Sequence, residues 1–249
     1  MRVFAGPNGS GKSTIIKAVR EYKMKRIPVD FGIYVNADDI ADLLRTGAFS
    51  FADYEVFTTR SEFIATALAS GLVGPDFSEK SFQASFKFHK DQRLLLTNKN
   101  ADERLAQILS DFLRKKLLAE NRKFSFETVF SHPGKLDIMR QAKERGYKVY
   151  LYFVSTESPD INIYRVHVRK DKGGHDVPPE KIKSRYERSL NLMFEASQLA
   201  YQAYFFDNSK EQPKLFAHFK LIKGKKKWDR IVEKEVPDWF RKFYSAKVK

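Results

Sequence analysis

The residues best placed to do chemistry stand at the start of the chain. Gly6-Pro7-Asn8-Gly9-Ser10-Gly11-Lys12-Ser13-Thr14 satisfies G-x-x-x-x-G-K-S/T, the phosphate-binding loop, with Gly6, Gly11, Lys12 and Ser13 at its defining places. Glycines let the backbone curl so that successive N–H groups point at a phosphate oxygen. Lys12 adds a compact charge for the outer phosphates, and the Ser13 hydroxyl suits the octahedral shell of a magnesium ion. The apolar run 1–5 reads as a strand entering the loop. Ile15, Ile16, Ala18 and Val19 read as a helix leaving it, whose N-terminal amides favour an anion. A glycine turn matching the pattern by chance would lack that strand and helix.

Carboxylates at strand ends come next. Residues 33–35 read as a buried strand running into Asn36-Ala37-Asp38-Asp39. In an open parallel sheet ligands gather beyond the carboxyl ends of strands, so an acid there is placed to accept a proton from an attacking hydroxyl. The competing role is an N-cap for the helix expected at 40–44. Asp38 is taken as the catalytic candidate and Asp39 as the cap. The strand at 123–126 ends in Glu127-Thr128, where such a site holds magnesium, its water or the substrate.

A third group is cationic. Arg165, Arg169, Lys170 and Lys172 precede the break at 173–179, and Lys181, Lys183, Arg185 and Arg188 follow it. A basic segment hinged on Gly173-Gly174 fits a lid over a triphosphate, its arginines offsetting charge on the transferred group. His175 lies in that break and reads as a loop residue. With no second His at ligand spacing, no zinc site is expected.

The elements that must position these groups follow from periodicity. A helix is expected at 12–25, others at 55–72, 101–121 and 133–145, and one beginning at residue 180. Strands are expected at 147–154 and 203–209, the latter as the last strand of the sheet, with Asn208 and Ser209 at its tip serving the base or a turn. Phe82, Ala84, Phe86 and Phe88 alternate with polar residues and suggest a strand within an insertion at 75–100 beside the cleft. The segments 215–222 and 226–232 resemble a hairpin, and 237–244 a short helix. Strands alternating with helices give an α/β fold of the P-loop NTPase, kinase-like kind. It is a doubly wound parallel sheet with helices on both faces, plus the insertion and a C-terminal β-hairpin. One domain over 1–249 is expected, with a lid-like segment at 165–188 and a basic hairpin and helix at 213–249.

Composition bounds the rest. The chain has 249 residues, no cysteine and a net charge of +15, which excludes a disulfide framework and thiolate metal sites. No stretch is long and apolar enough for a membrane span. A first strand starting at Arg2 leaves no room for a leader before it, and the cytoplasm is expected. In the last 40 residues 13 Lys or Arg stand against 5 acids. That suits an anionic partner, but the cations form no arginine-rich block, so a solvated basic surface is expected in place of a nucleic-acid site.

Taken together, VFAGPNGSGKST, VNADDIA, FSFETVFS, GYKVYLYFVST, RVHVRKDKGGHDVPPEKIKSRYERSL and FFDNS resemble, in order and spacing, the zeta-toxin-like family of P-loop kinases. The resemblance runs from residue 2 to 209 and omits 75–100 and the basic tail. It implies ATP and Mg²⁺ as cofactors, held at residues 6–14, with Ser13 on the metal. It implies Asp38 as catalytic base beside Lys12, and Arg169 and Arg185 as lid arginines, Arg165 being an alternative for one of them. Glu127 matches an acid of the sugar-nucleotide pocket, with Thr128 and Asn36 as companion substrate-binding candidates. The family's best-studied members phosphorylate UDP-N-acetylglucosamine, and an antitoxin is the implied protein partner. Here Thr128-Val129-Phe130-Ser131 departs from the family, so kinase fold and mechanism carry over better than the acceptor. The competing functions are a kinase of nucleosides or nucleic-acid ends and a nucleotide-binding regulator with little turnover. Asp38 and Glu127 beside a complete phosphate loop argue against the regulator.

Overall fold

The computed structural model describes residues 1–24, 26–174 and 176–248, and of Met24 the backbone alone. His175 lies outside the described residues. The chain divides into two compact units, Met1–Phe31 with Phe126 onward, and Gly32–Ser125.

The first unit opens with β1 (Arg2–Ala5), the glycine loop and α1 (Lys12–Glu21). Val3, Phe4 and Ala5 are fully buried, as a central strand requires. The helix stops short of residue 25 because Tyr22 turns extended (φ −72°, ψ 130°) and its carbonyl accepts from Val29 N–H at 3.4 Å. β2 (Lys23–Met24) and β3 (Ile27–Pro28) then pair as a small antiparallel ribbon.

The second unit contains β4 (Ile33–Val35), α2 (Ala37–Thr46), β5 (Ala48–Ser50), α3 (Arg60–Leu68), α4 (Glu79–Ala84), β6 (Phe86–Phe88), β7 (Arg93–Leu96) and α5 (Asp102–Ala119). β8 (Phe124–Thr128) begins in it, and Ile33 N–H donates to Lys123 O just before β8 at 3.0 Å. Two expectations are corrected here. α3 starts at Arg60, not near 55, because Thr59 and Glu62 form a capping box, the Thr59 side chain accepting from Glu62 N–H. The alternation at 82–88 is not strand throughout: Ser78 caps a helix over 79–84, and of 82–88 only 86–88 is strand. β6 and β7 join β5 in a three-stranded antiparallel sheet.

Phenylalanine explains that outcome. Phe63 packs on Phe86 (5.4 Å) and Phe112 (5.3 Å), and Phe82 on Phe86 (5.2 Å). Phe82 reaches this cluster from a helix and Phe86 from a strand. Burying each ring contributes about 1.5–3 kcal/mol, enough to override local alternation.

The first unit resumes with α6 (Gly134–Glu144), β9 (Tyr150–Ser155), α7 (Pro159–Asp171), α8 (Pro179–Leu199), β10 (Gln202–Asp207), β11 (Lys214–Ile222), β12 (Lys225–Ile231) and α9 (Asp238–Phe243). Its sheet has the order β12-β11-β10-β9-β1-β8. β1, β9 and β10 pair in parallel and the β11–β12 hairpin is antiparallel. β9 starts three residues later than expected because Tyr147 N–H closes the end of α6 on Ala142 O at 2.9 Å. Nor is β10 the last strand. The hairpin extends the same sheet because Phe205 on β10 shares a buried aromatic layer with Phe219, Trp228 and Phe240. Among the described residues no helix is long and apolar enough to cross a membrane.

Candidate active site

The loop between β1 and α1 has the backbone its glycines foretell. Gly6, Gly9 and Gly11 have φ of 145°, 73° and 93°, which side-chain-bearing residues adopt at a cost. They also lie against neighbours: a Cβ on Gly6 would stand 2.0 Å from Val154 O. Gly11 is the N-cap of α1 and supplies no side-chain cap, so the first amides of α1 face whatever the loop encloses. Ser10 is fully buried, and its Oγ has no hydrogen-bond partner among the described residues. Ser13 and Thr14 are exposed in the first turn.

Lys12 is drawn inward. Its side chain is 6% exposed, Nζ donates to Pro7 O at 2.9 Å, and Glu127 Oε1 lies 3.6 Å away. The two residues that the sequence assigned to phosphate and to the neighbouring strand tip therefore form one ion pair. A cation and a carboxylate thus stand side by side at the loop. Among the described residues no group of three or more His, Cys, Asp or Glu could hold a metal. Magnesium needs fewer protein ligands, because phosphates and waters complete its shell. The exposed Ser13 hydroxyl and Glu127 fit that requirement.

Side chains from α7, α8 and the end of β10 hold the loop from outside. Asn162 Nδ2 on α7 donates to Asn8 O at 2.7 Å, and Asn208 Nδ2 after β10 donates to Ser10 O at 2.8 Å. Arg185 on α8 donates to Asn8 Oδ1 at 3.3 Å. The sequence marks Arg185 as a lid arginine and not as a loop contact, and it does not single out Asn162, whose partner is 154 positions away. Asn208 was noted as a base or turn contact and proves to bind the loop backbone.

The other lid candidates divide. Arg165 donates to Asn208 O (2.7 Å) and Lys210 O (3.0 Å), which ties α7 to the end of β10. Arg169, in the last turn of α7, lies under the glycine hinge; a Cβ on Gly174 would stand 2.6 Å from its Cγ. Glu157 follows β9 and accepts from Asp238 N–H at 3.2 Å. Burial raises its pKa above the usual carboxylate value, and Asp207 and Asp238 add to that.

In the second unit, Asn36 caps α2, so the cap is neither Asp38 nor Asp39. Asn36 is extended (φ −131°, ψ 127°) and its Oδ1 accepts from Asp38 N–H at 3.1 Å. Its Nδ2 donates to Asp39 Oδ1 at 3.1 Å. One residue before the helix is where a short amide reaches the unpaired N–H groups. Asp38 keeps an exposed side chain that takes no part in the cap. Thr128 is buried, and its Oγ1 accepts from Phe130 N–H at 3.1 Å in a turn where Phe130 has φ 60°.

No protein-family model matches the chain. A stretch of 63 residues is 32% identical to an uncharacterized protein of Haemophilus influenzae, covering 25% of this chain and 45% of that one. Among solved structures, the AvrRxo1-ORF1:AvrRxo1-ORF2 complex with sulphate ions is similar over the whole chain, with a TM-score of 0.53 and 14% identity. The native complex gives the same values. The chain shares its α/β fold with a chain of that complex. A further structure, from the PezAT toxin–antitoxin system of Streptococcus pneumoniae, gives 0.49 at 9% identity. The chain spans 64% of the length of the AvrRxo1 chain it matches.

Proposed function

We propose that the chain is an ATP-dependent kinase of the zeta-toxin-like family, moving the γ-phosphate to a hydroxyl of a small molecule. The acceptor class is a sugar nucleotide such as UDP-N-acetylglucosamine. The observation that supports this best is the loop of residues 6–14, set between β1 and α1 with Lys12 3.6 Å from Glu127. On this reading the loop amides and Lys12 meet the triphosphate. Ser13 and Glu127 would hold a magnesium ion, which when bound would neutralise charge on the phosphate oxygens. Asp38 takes the acceptor proton. Arg185, which already reaches the loop at Asn8, opposes charge on the transferred group, with Arg169 as its companion. Asn36 and Thr128 serve the acceptor by fixing the backbone around Asp38 and Glu127. A second protein as partner is supported by the two-protein complex that shares this fold, and an antitoxin is the class proposed.

The test is a phosphate-transfer screen with γ-labelled ATP and magnesium. Sugar nucleotides, nucleosides and oligonucleotide ends serve as acceptors. Label on a sugar nucleotide supports the full reading; label on an oligonucleotide end replaces the acceptor and keeps the kinase. No transfer to any class, with ATP bound, favours a nucleotide-binding regulator.

A further inference from the structure

We propose that Asn162 and Asn208 are positioning residues for the phosphate loop, each fixing the direction in which one loop amide points. The inference rests on the kinase reading, since it concerns how residues 6–14 meet phosphate.

Asn162 is fully buried and Asn208 is 5% exposed. Each donates its side-chain amide to one loop carbonyl, Asn8 O at 2.7 Å and Ser10 O at 2.8 Å. The described chain has no cis peptide, and in a trans peptide the C=O and N–H point in opposite directions. The peptide that carries Asn8 O also carries the Gly9 N–H, and that of Ser10 O carries the Gly11 N–H. Each carbonyl drawn onto an asparagine therefore sends its partner N–H the other way. Successive amides converging in this manner make an anion-binding concavity.

The glycines complete the fit. A Cβ on Gly9 would stand 2.5 Å from Asn162 O, and one on Gly11 would stand 2.0 Å from Asn208 Nδ2. Glycine at both places lets the asparagines come this close, beyond the positive φ it also supplies. The asparagines are held in turn by the end of β9. Asn162 Oδ1 accepts from Thr156 Oγ1, and Asn208 N–H donates to Ser155 O at 2.8 Å. The Asn208 carbonyl also accepts from Arg165. Only a donor fits either place. An aspartate would set a carboxylate oxygen against a carbonyl oxygen.

The experiment uses the full chain, labelled with ¹⁵N, with Asn162→Leu and Asn208→Leu. Leucine keeps the branched shape, adds a little volume and removes the donor. Amide resonances are recorded without nucleotide, and ATP·Mg affinity is measured by calorimetry. We expect Asn162→Leu to move the Gly9 amide and Asn208→Leu the Gly11 amide, each largely without the other. ATP should bind roughly ten- to a hundred-fold more weakly to each, the worth of one hydrogen bond to a charged group. Should a leucine variant not fold, Asn→Ala at the same place is read identically. Variants that bind ATP within two-fold of the parent overturn the inference while leaving the kinase reading standing. So does an equal disturbance of both glycines together with a lowered melting point, which marks general loosening. A parent that does not bind ATP overturns both.

Discussion

Glu127→Gln isolates the ion pair that the loop makes with its neighbouring strand. Lys12 is 6% exposed and Glu127 15%, at 3.6 Å. Removing one partner of a fully buried pair costs about 3–5 kcal/mol because the other charge is left uncompensated. Two features reduce that here. The separation exceeds hydrogen-bond length, and Lys12 keeps Pro7 O at 2.9 Å. A cost of about 1–2 kcal/mol follows, which for a chain of this size lowers the melting point by roughly 2–8 °C. ATP added without magnesium should restore most of that loss, since phosphate oxygens supply the negative charge that glutamine lacks. Transfer with magnesium should fall, because Glu127 is proposed to hold a water of the metal. The assay is melting by circular dichroism or calorimetry, with and without ATP, beside initial transfer rates. A variant that melts with the parent, and gains no more from ATP than the parent does, would refute the idea that Lys12 and Glu127 compensate each other.

Asp38→Asn should lower phosphate transfer by roughly 10²–10⁴-fold, the range for a positioned base, while ATP affinity changes little; Asp39→Asn should leave the rate near the parent's. Loss in the Asp39 variant alone would assign the base to the wrong carboxylate. Asn36→Ala should cost about 1 kcal/mol of stability through the lost cap, read as a shift in urea midpoint, whereas Asp39→Ala should cost less. Lys226, half-buried among Phe194, Phe219 and Tyr244, has its pKa lowered by burial to about 8. Between that value and its ordinary one the folded chain has released a proton that the unfolded chain retains, so stability rises with pH through this window. Comparing urea midpoints at pH 7.5 and 10 should give an increment on the order of 1 kcal/mol that Lys226→Met lacks; equal increments in both proteins would mean the ammonium pays no burial penalty.

What was legible from sequence was local. The phosphate loop is recognised by spacing, and its strand and helix lie where an apolar run and a 3.6-residue period put them. β4, α5 and the C-terminal hairpin are likewise written in contiguous patterns. The capping box at Thr59 and Glu62 is equally local, but the apolar residues before it extend the helical pattern ahead of its true start. At Asn36 three good capping residues stand close together, and only the backbone angles decide among them. Other features depend on partners far away in sequence. Asn162 and Asn208 acquire their meaning from loop carbonyls 154 and 198 positions off. Phe82 and Phe86 look like alternation until their shared contact with Phe63 is known.

The central claim is that residues 6–14 bind ATP for phosphate transfer, and Lys12→Ala tests it most directly. The parent should transfer γ-phosphate from ATP to a hydroxyl acceptor. The variant should lose transfer and still fold, melting without nucleotide roughly 2–8 °C below the parent because Glu127 loses the Lys12 cation. Equal turnover by parent and variant, both folded, would contradict the account.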